Sequence, residues 1–117
     1  MDNKNIDNDM LVRAIIKYGM EHQRNKCVEE MGELIQEIAR LNNFYKAANG
    51  MTCTEANMKL KAINDAMIGE IADVQITLWQ MQKMAGQDKV NAAIAYKLDR
   101  LDRRMNEGID NDCSKGN

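Results

Sequence analysis

The sequence predicts an all-α protein, a small four-helix bundle, and three observations carry that prediction. Aromatic residues, which favour strands, make up only 4% of the chain, and proline, which breaks helices, is absent. Apolar residues recur at three- and four-residue spacing in four successive segments, as they do along amphipathic helices. Turn signals built on glycine and asparagine separate those segments. The length of 117 residues suits a single domain, expected over residues 1–108.

The first helix is expected over Asn8 to Tyr18, where Leu11, Ala14, Ile15 and Tyr18 share a face and Gly19 supplies a stop. A second follows over about residues 23–45, with Cys27, Met31, Leu34, Ile35, Ile38 and Leu41 as its apolar stripe. Asn42-Asn43 and the turn dipeptide Asn49-Gly50 end it. The third starts after Thr52, where Thr52-Cys53-Thr54-Glu55 fits a capping box, and its apolar positions continue from Met58 to Met81 before Gly86. Such a helix would be roughly 45 Å long, so a break near Asn64-Asp65 is weighed against one continuous rod. The fourth opens at Asp88 and carries Val90, Ile94, Leu98, Leu101 and Met105, with Gly108 as its stop. Residues 109–117 are polar and aperiodic and are expected to form a disordered tail.

Composition excludes several classes. A net charge of −2 argues against a protein built to wrap a nucleic acid polymer. No apolar run approaches the roughly 18 residues a membrane span needs, and the polar stretch from Met1 to Asp9 lacks a signal-peptide core. Three cysteines, Cys27, Cys53 and Cys113, without CxxC spacing indicate neither a disulfide framework nor a zinc site. A reduced, cytoplasmic protein is the simplest expectation. Ten methionines in a chain with a limited core favour a homo-oligomer over a monomer that uses them all internally.

The most informative feature is a pair of acidic clusters, Glu29-Glu30-Met31-Gly32-Glu33 and Glu70-Ile71-Ala72-Asp73, on two different helices. Residues three apart on a helix converge, so Glu30 with Glu33 and Glu70 with Asp73 are two same-face carboxylate pairs. Either pair alone is more simply a solvated face. Together they lie in apolar frames, each beside a mid-helix glycine, Gly32 or Gly69, that costs roughly 1 kcal/mol relative to alanine. Two such pairs facing across a bundle repel unless a hard divalent cation, above all Mg²⁺, sits between them. Lys97, Arg100, Arg103 and Arg104 on the last helix could meet phosphates, although Asp99 and Asp102 interleave with them and offer an ion-pair network instead.

The motif EExxE followed by ExxD, here within "VEEMGELIQEIARL" and "IGEIADVQITLWQM", resembles the MazG-type all-α nucleoside triphosphate pyrophosphohydrolases, especially the short MazG-like proteins of phages and prophages. The similarity extends to "YGMEHQRNKCVEE" and "AYKLDRLDRRMNEG" and covers roughly residues 10–108. The chain departs from the compact members in the 36 residues between Glu33 and Glu70, the excess falling on "NNFYKAANGMTCTEAN".

The resemblance implies that Glu30, Glu33, Glu70 and Asp73 bind Mg²⁺, with Glu29 an accessory acid. It also implies cleavage of a nucleoside triphosphate to a monophosphate and pyrophosphate, with dUTP or dCTP as candidate substrates, in the bacterial cytoplasm if the chain is phage-encoded. Glu29 or Glu33 would act as the general base, and Lys97, Arg100 and Arg104 would grip the phosphates. Gln23, Phe44 and Tyr45 are the candidate base and sugar contacts, whereas Trp79 and His22 are more simply packing and surface residues. A homodimer or homotetramer is expected. The alternatives are a module that binds and sequesters nucleotides without cleaving them, and a helical interaction protein with solvated acidic faces.

Overall fold

The computed structural model describes residues 8–115, with side chains described as far as Glu107. Among the described residues there are four helices and no strand: α1 (Asn8–Tyr18), α2 (Met20–Ala47), α3 (Cys53–Ala85) and α4 (Gln87–Lys115). The chain divides into two units, residues 1–81 and 82–117.

Glycine makes the junctions sharp. Gly19 and Gly86 are single-residue links with φ of 93° and 113°, a left-handed conformation that a Cβ opposes. Gly50, with φ of 94°, turns the loop between α2 and α3. Thr52 Oγ1 then accepts a hydrogen bond from Glu55 N at 3.1 Å, the threonine half of the expected capping box. With no glycine or proline near Asn64-Asp65, nothing interrupts the backbone ladder there, and α3 runs unbroken. Nor does Gly108 stop α4: mid-helix glycine is costly but tolerated, and the helix continues to Lys115 through the segment expected to be disordered. Residues 116–117 and Cys113's side chain lie outside the described part.

In the first unit α2 and α3 run antiparallel: Gln23 near the start of α2 bonds Gln80 near the end of α3, while Phe44 and Ile63 line one cavity at the opposite end. Their buried and half-buried positions include one regularly spaced row on each helix, with Lys26, Glu33, Asn64, Ala66, Trp79 and Gln80 lying outside it. On α2 the row is Gln23, Cys27, Glu30, Leu34, Glu37, Leu41 and Phe44; on α3 it is Ala56, Leu60, Ile63, Met67, Glu70, Val74, Thr77 and Met81, all buried or half-buried. Alternating steps of three and four make a seven-residue repeat, the pattern of helices paired along a seam. The expected α2 stripe is therefore split: Cys27, Leu34 and Leu41 belong to the seam, while Met31, Ile35 and Ile38 are exposed.

A polar clamp fixes α1 to this pair. His22 Nδ1 donates to Gln23 Oε1 (2.8 Å), Gln23 Nε2 to Gln80 Oε1 (2.9 Å), and Gln80 Nε2 to the Leu11 carbonyl (3.1 Å). The relay runs in one direction, which fixes the orientation of both amides. Cys27, Phe44, Ile63 and Trp79 are the buried apolar side chains of the unit.

In the second unit, Arg103 pairs with Asp99 at 3.2 Å, which gives this arginine the ion-pair role weighed above. Gln87 Nε2 donates to Gln82 Oε1 and Asn91 Oδ1 across the α3–α4 turn.

Replacing Gln80 with leucine removes one buried and one part-buried hydrogen bond and strands the Gln23 amide, at a cost of about 1–3 kcal/mol. Urea denaturation followed by circular dichroism is expected to show that loss; an unchanged midpoint would mean that the relay does not hold α1.

Candidate metal centre

The seven-residue repeat that pairs α2 with α3 puts acids where apolar residues belong. Glu30 and Glu70 are both seam positions, and Glu33 stands one turn beyond Glu30. One ligand atom from each of Glu30, Glu33 and Glu70 lies within 4.8 Å of the others. Glu30 is only 6% exposed, and among the described residues the Oε2 atoms of Glu30 and Glu70 are buried without a hydrogen-bond partner. Buried acceptors are rarely left so, and their desolvation is costly. Asp73 is exposed and lies outside the 4.8 Å group, but it lines a cavity of about 250 Å³ together with Glu30, Gln23 and Lys26.

Two features of the cluster relieve part of the repulsion. Lys26 Nζ lies 3.1 Å from Glu30 Oε1 and 3.5 Å from Glu29 Oε1. The Glu30 hydrogen bond, followed by the negative charges of Glu29 and Glu30, holds the Lys26 ammonium above its ordinary pKa. The Glu70 carboxyl is likewise pushed up, first by burial and then by its hydrogen bond and charge interaction with Glu33, with Asp73 and Glu30 adding to the effect. Unit charges about 5 Å apart interact by about 3 kcal/mol at an effective dielectric of 20, so one lysine leaves substantial repulsion.

The other candidate residues are placed as follows. Glu29 is exposed and held by Lys26. Gln23 is buried and engaged with Gln80 as well as lining the cavity, so its amide is already committed to the clamp. Phe44 is buried and lines a second cavity of about 270 Å³ with Arg40, Asn43 and Lys59; Tyr45 is exposed and meets Phe44 edge-on at 5.4 Å. Trp79 is buried, and His22 stacks on Tyr18. A larger depression of about 620 Å³ at the α1–α2 junction contains none of the clustered acids. Lys97, Arg100 and Arg104 all lie on α4 in the second unit; Lys97 and Arg104 are exposed, and Arg100 is half-buried with its guanidinium 5.9 Å from the Tyr96 ring.

Lys26 and Gln80 were not among the sequence candidates. Lys26 was accessible through its spacing, three and four residues before Glu29 and Glu30, the separation at which helical ion pairs form. Gln80 had no such signal, since its partners are 57 and 69 residues away.

A carboxyl with a raised pKa in the folded state penalises folding once pH exceeds its ordinary value, here 4.5, and the penalty is complete above the raised value. Without divalent cations, Glu70→Gln is therefore expected to raise the melting temperature at neutral pH. The gain should shrink as pH falls through that window. Mg²⁺ or Mn²⁺ should raise the melting temperature of the parent chain and not of the variant; equal metal responses would remove Glu70 from the ligand set. Comparison of the chain with family models, with characterised proteins and with solved structures identified no match.

Proposed function

We propose that the protein is a Mg²⁺-dependent nucleoside triphosphate pyrophosphohydrolase that cleaves its substrate to the monophosphate and pyrophosphate. The observation that carries this proposal is the meeting of Glu30, Glu33 and Glu70 from two helices, with two buried carboxylate oxygens lacking a protein partner. All-oxygen donors of this charge suit a hard divalent cation. The sequence pattern of the acids, EExxE and then ExxD, resembles that of MazG-type enzymes and supports the same reaction.

Glu30, Glu33 and Glu70 would hold the cation, with Asp73 joining from the cavity wall. A bound Mg²⁺ there supplies charge neutralisation for the triphosphate and acidifies a coordinated water. The chain's own groups do the rest. Glu29 or Glu33 would accept the proton of the attacking water. Lys26, held beside Glu29 and Glu30, adds a positive charge at the cavity wall. Lys97, Arg100 and Arg104, on α4, are cations of the kind that neutralise phosphate oxygens. The Phe44 cavity lies about 16 Å or more along α2 from Glu33, farther than the base of a nucleotide lies from the phosphate bond to be cleaved, so Phe44 and Tyr45 are not assigned to this site.

Incubation with each common ribo- and deoxynucleoside triphosphate and Mg²⁺ is expected to release pyrophosphate and monophosphate from at least one, with dUTP and dCTP the first to try. Glu30→Gln and Asp73→Asn should each lower kcat by roughly a hundredfold or more, about 2.7 kcal/mol or more of transition-state stabilisation. Release of orthophosphate in place of pyrophosphate would overturn the assigned bond. Tight nucleotide binding without any product would make the protein a sequestering module instead.

A further inference from the structure

The connection between α2 and α3 is where the chain exceeds the compact members of the family it resembles, and the proposed reaction uses none of it. That stretch, residues 42–57, supplies much of the cavity of about 270 Å³ at the far end of the helix pair. Phe44 and Ile63, each 8% exposed, give the cavity an apolar wall from the seam itself. Met51 joins them from the loop, carried by the turn at Gly50 in which its own N–H bonds the Ala48 carbonyl at 3.2 Å.

The polar lining has one sign of charge. Arg40 and Asn43 come from α2 and Lys59 from α3, and among the described residues no carboxylate lines the cavity. Arg40 Nη1 donates to both carboxylate oxygens of Glu37, at 3.0 and 2.8 Å, which leaves the Nε and Nη2 donors uncommitted. Arg40 and Glu37 cancel in charge. Among the described residues Lys59 makes no ion pair, whereas Lys61 on the same helix is held by Asp65 at 2.8 Å. The cavity therefore offers one unbalanced positive charge beside a buried aromatic ring.

We propose that this cavity is a binding site for a small aromatic monocarboxylate, a ligand separate from any nucleotide. Three properties select that chemistry. Lys59 balances a single negative charge, and the free guanidinium and amide donors across from it suit the two oxygens of a carboxylate. Phe44, with Tyr45 edge-on at 5.4 Å, presents an aromatic wall against which a second ring packs edge-on or offset. The volume equals that of about nine molecules of liquid water, room for one ring with a short acidic arm and too little for a nucleotide. A carboxylate there bridges Lys59 on α3 to Arg40 and Asn43 on α2, tying the helices at the end away from the acids. The proposal is independent of the catalytic one, since none of the clustered acids lines this cavity.

NMR titration of the full chain with 3-phenylpropanoate, without divalent cations, tests it. One equivalent is expected to bind with a dissociation constant near or below about 1 mM, shifting the signals of Asn43, Phe44, Met51 and Ile63 but not those of Glu30 or Glu70. Lys59→Gln, at an exposed position, should weaken binding roughly tenfold or more with unchanged helical circular dichroism, while Lys61→Gln leaves it intact. The uncharged amide of the same acid, and acetate, which lacks the ring, should each bind at least roughly tenfold more weakly. No saturable shift at these residues up to about ten times the expected constant would overturn the proposal. So would shifts centred on the acidic cluster, equal binding of the amide or of acetate, or undiminished binding by folded Lys59→Gln.

Discussion

The first unit is organised around a conflict between pairing and charge. Two helices that meet along a seven-residue repeat want apolar side chains at every seam position, and α2 and α3 put Glu30 and Glu70 there. Taking carboxylates out of water costs more than a lysine at the edge returns. Lys26 meets part of that cost, and the raised pKa of Glu70 is the sign of what remains. A proton on Glu70 relieves that strain, and a divalent cation among the three acids would relieve it too, so protonation would compete with the proposed metal binding.

Gly19 joins α1 to α2 through a single residue, and Gln80 reaches past the seam to the Leu11 carbonyl. Both help determine how the helices sit at the end of the pair nearest the acids. The seam is apolar at Phe44 and Ile63 and polar at Gln23, whose amide bonds Gln80 across the pair, while Thr77 bonds back to the Asp73 carbonyl within α3. Buried polar contacts of this kind specify one register, because a slip by one step would strand every amide in the relay.

Much of this was written in local spacing. The helical class, the Asn8–Tyr18 helix and the Thr52 cap follow from neighbours within four residues, and so do the two acidic pairs. What local spacing could not do was choose among adjacent rows on one helix. Cys27, Leu34 and Leu41 differ from Val28, Ile35 and Ile38 by a single step, and both sets are apolar, so only the position of α3 separates seam from surface. For the same reason the acids could be paired along each helix but not across helices, and Asp73 was weighted equally with Glu70 although it stands a turn further out. The stop read at Gly108 failed because the neighbouring turns sustain the helix, and of the two readings weighed at Asn64-Asp65 the continuous rod is the one formed.

The same one-residue step ties stability to function. An acid placed in the seam weakens the internal pairing of α2 and α3, and the unit's buried apolar side chains are few. The row beside the seam retains the isoleucines, valine, methionine and leucine that would ordinarily supply a core. The pair thus keeps a polar flank, with Lys26 and Asp73 at the cavity wall, at the expense of its own core. Apolar substitution of Glu30 would then strengthen the helix pair while removing the reason for its shape. Natural sites commonly accept that exchange, giving up stability where ligands must be held.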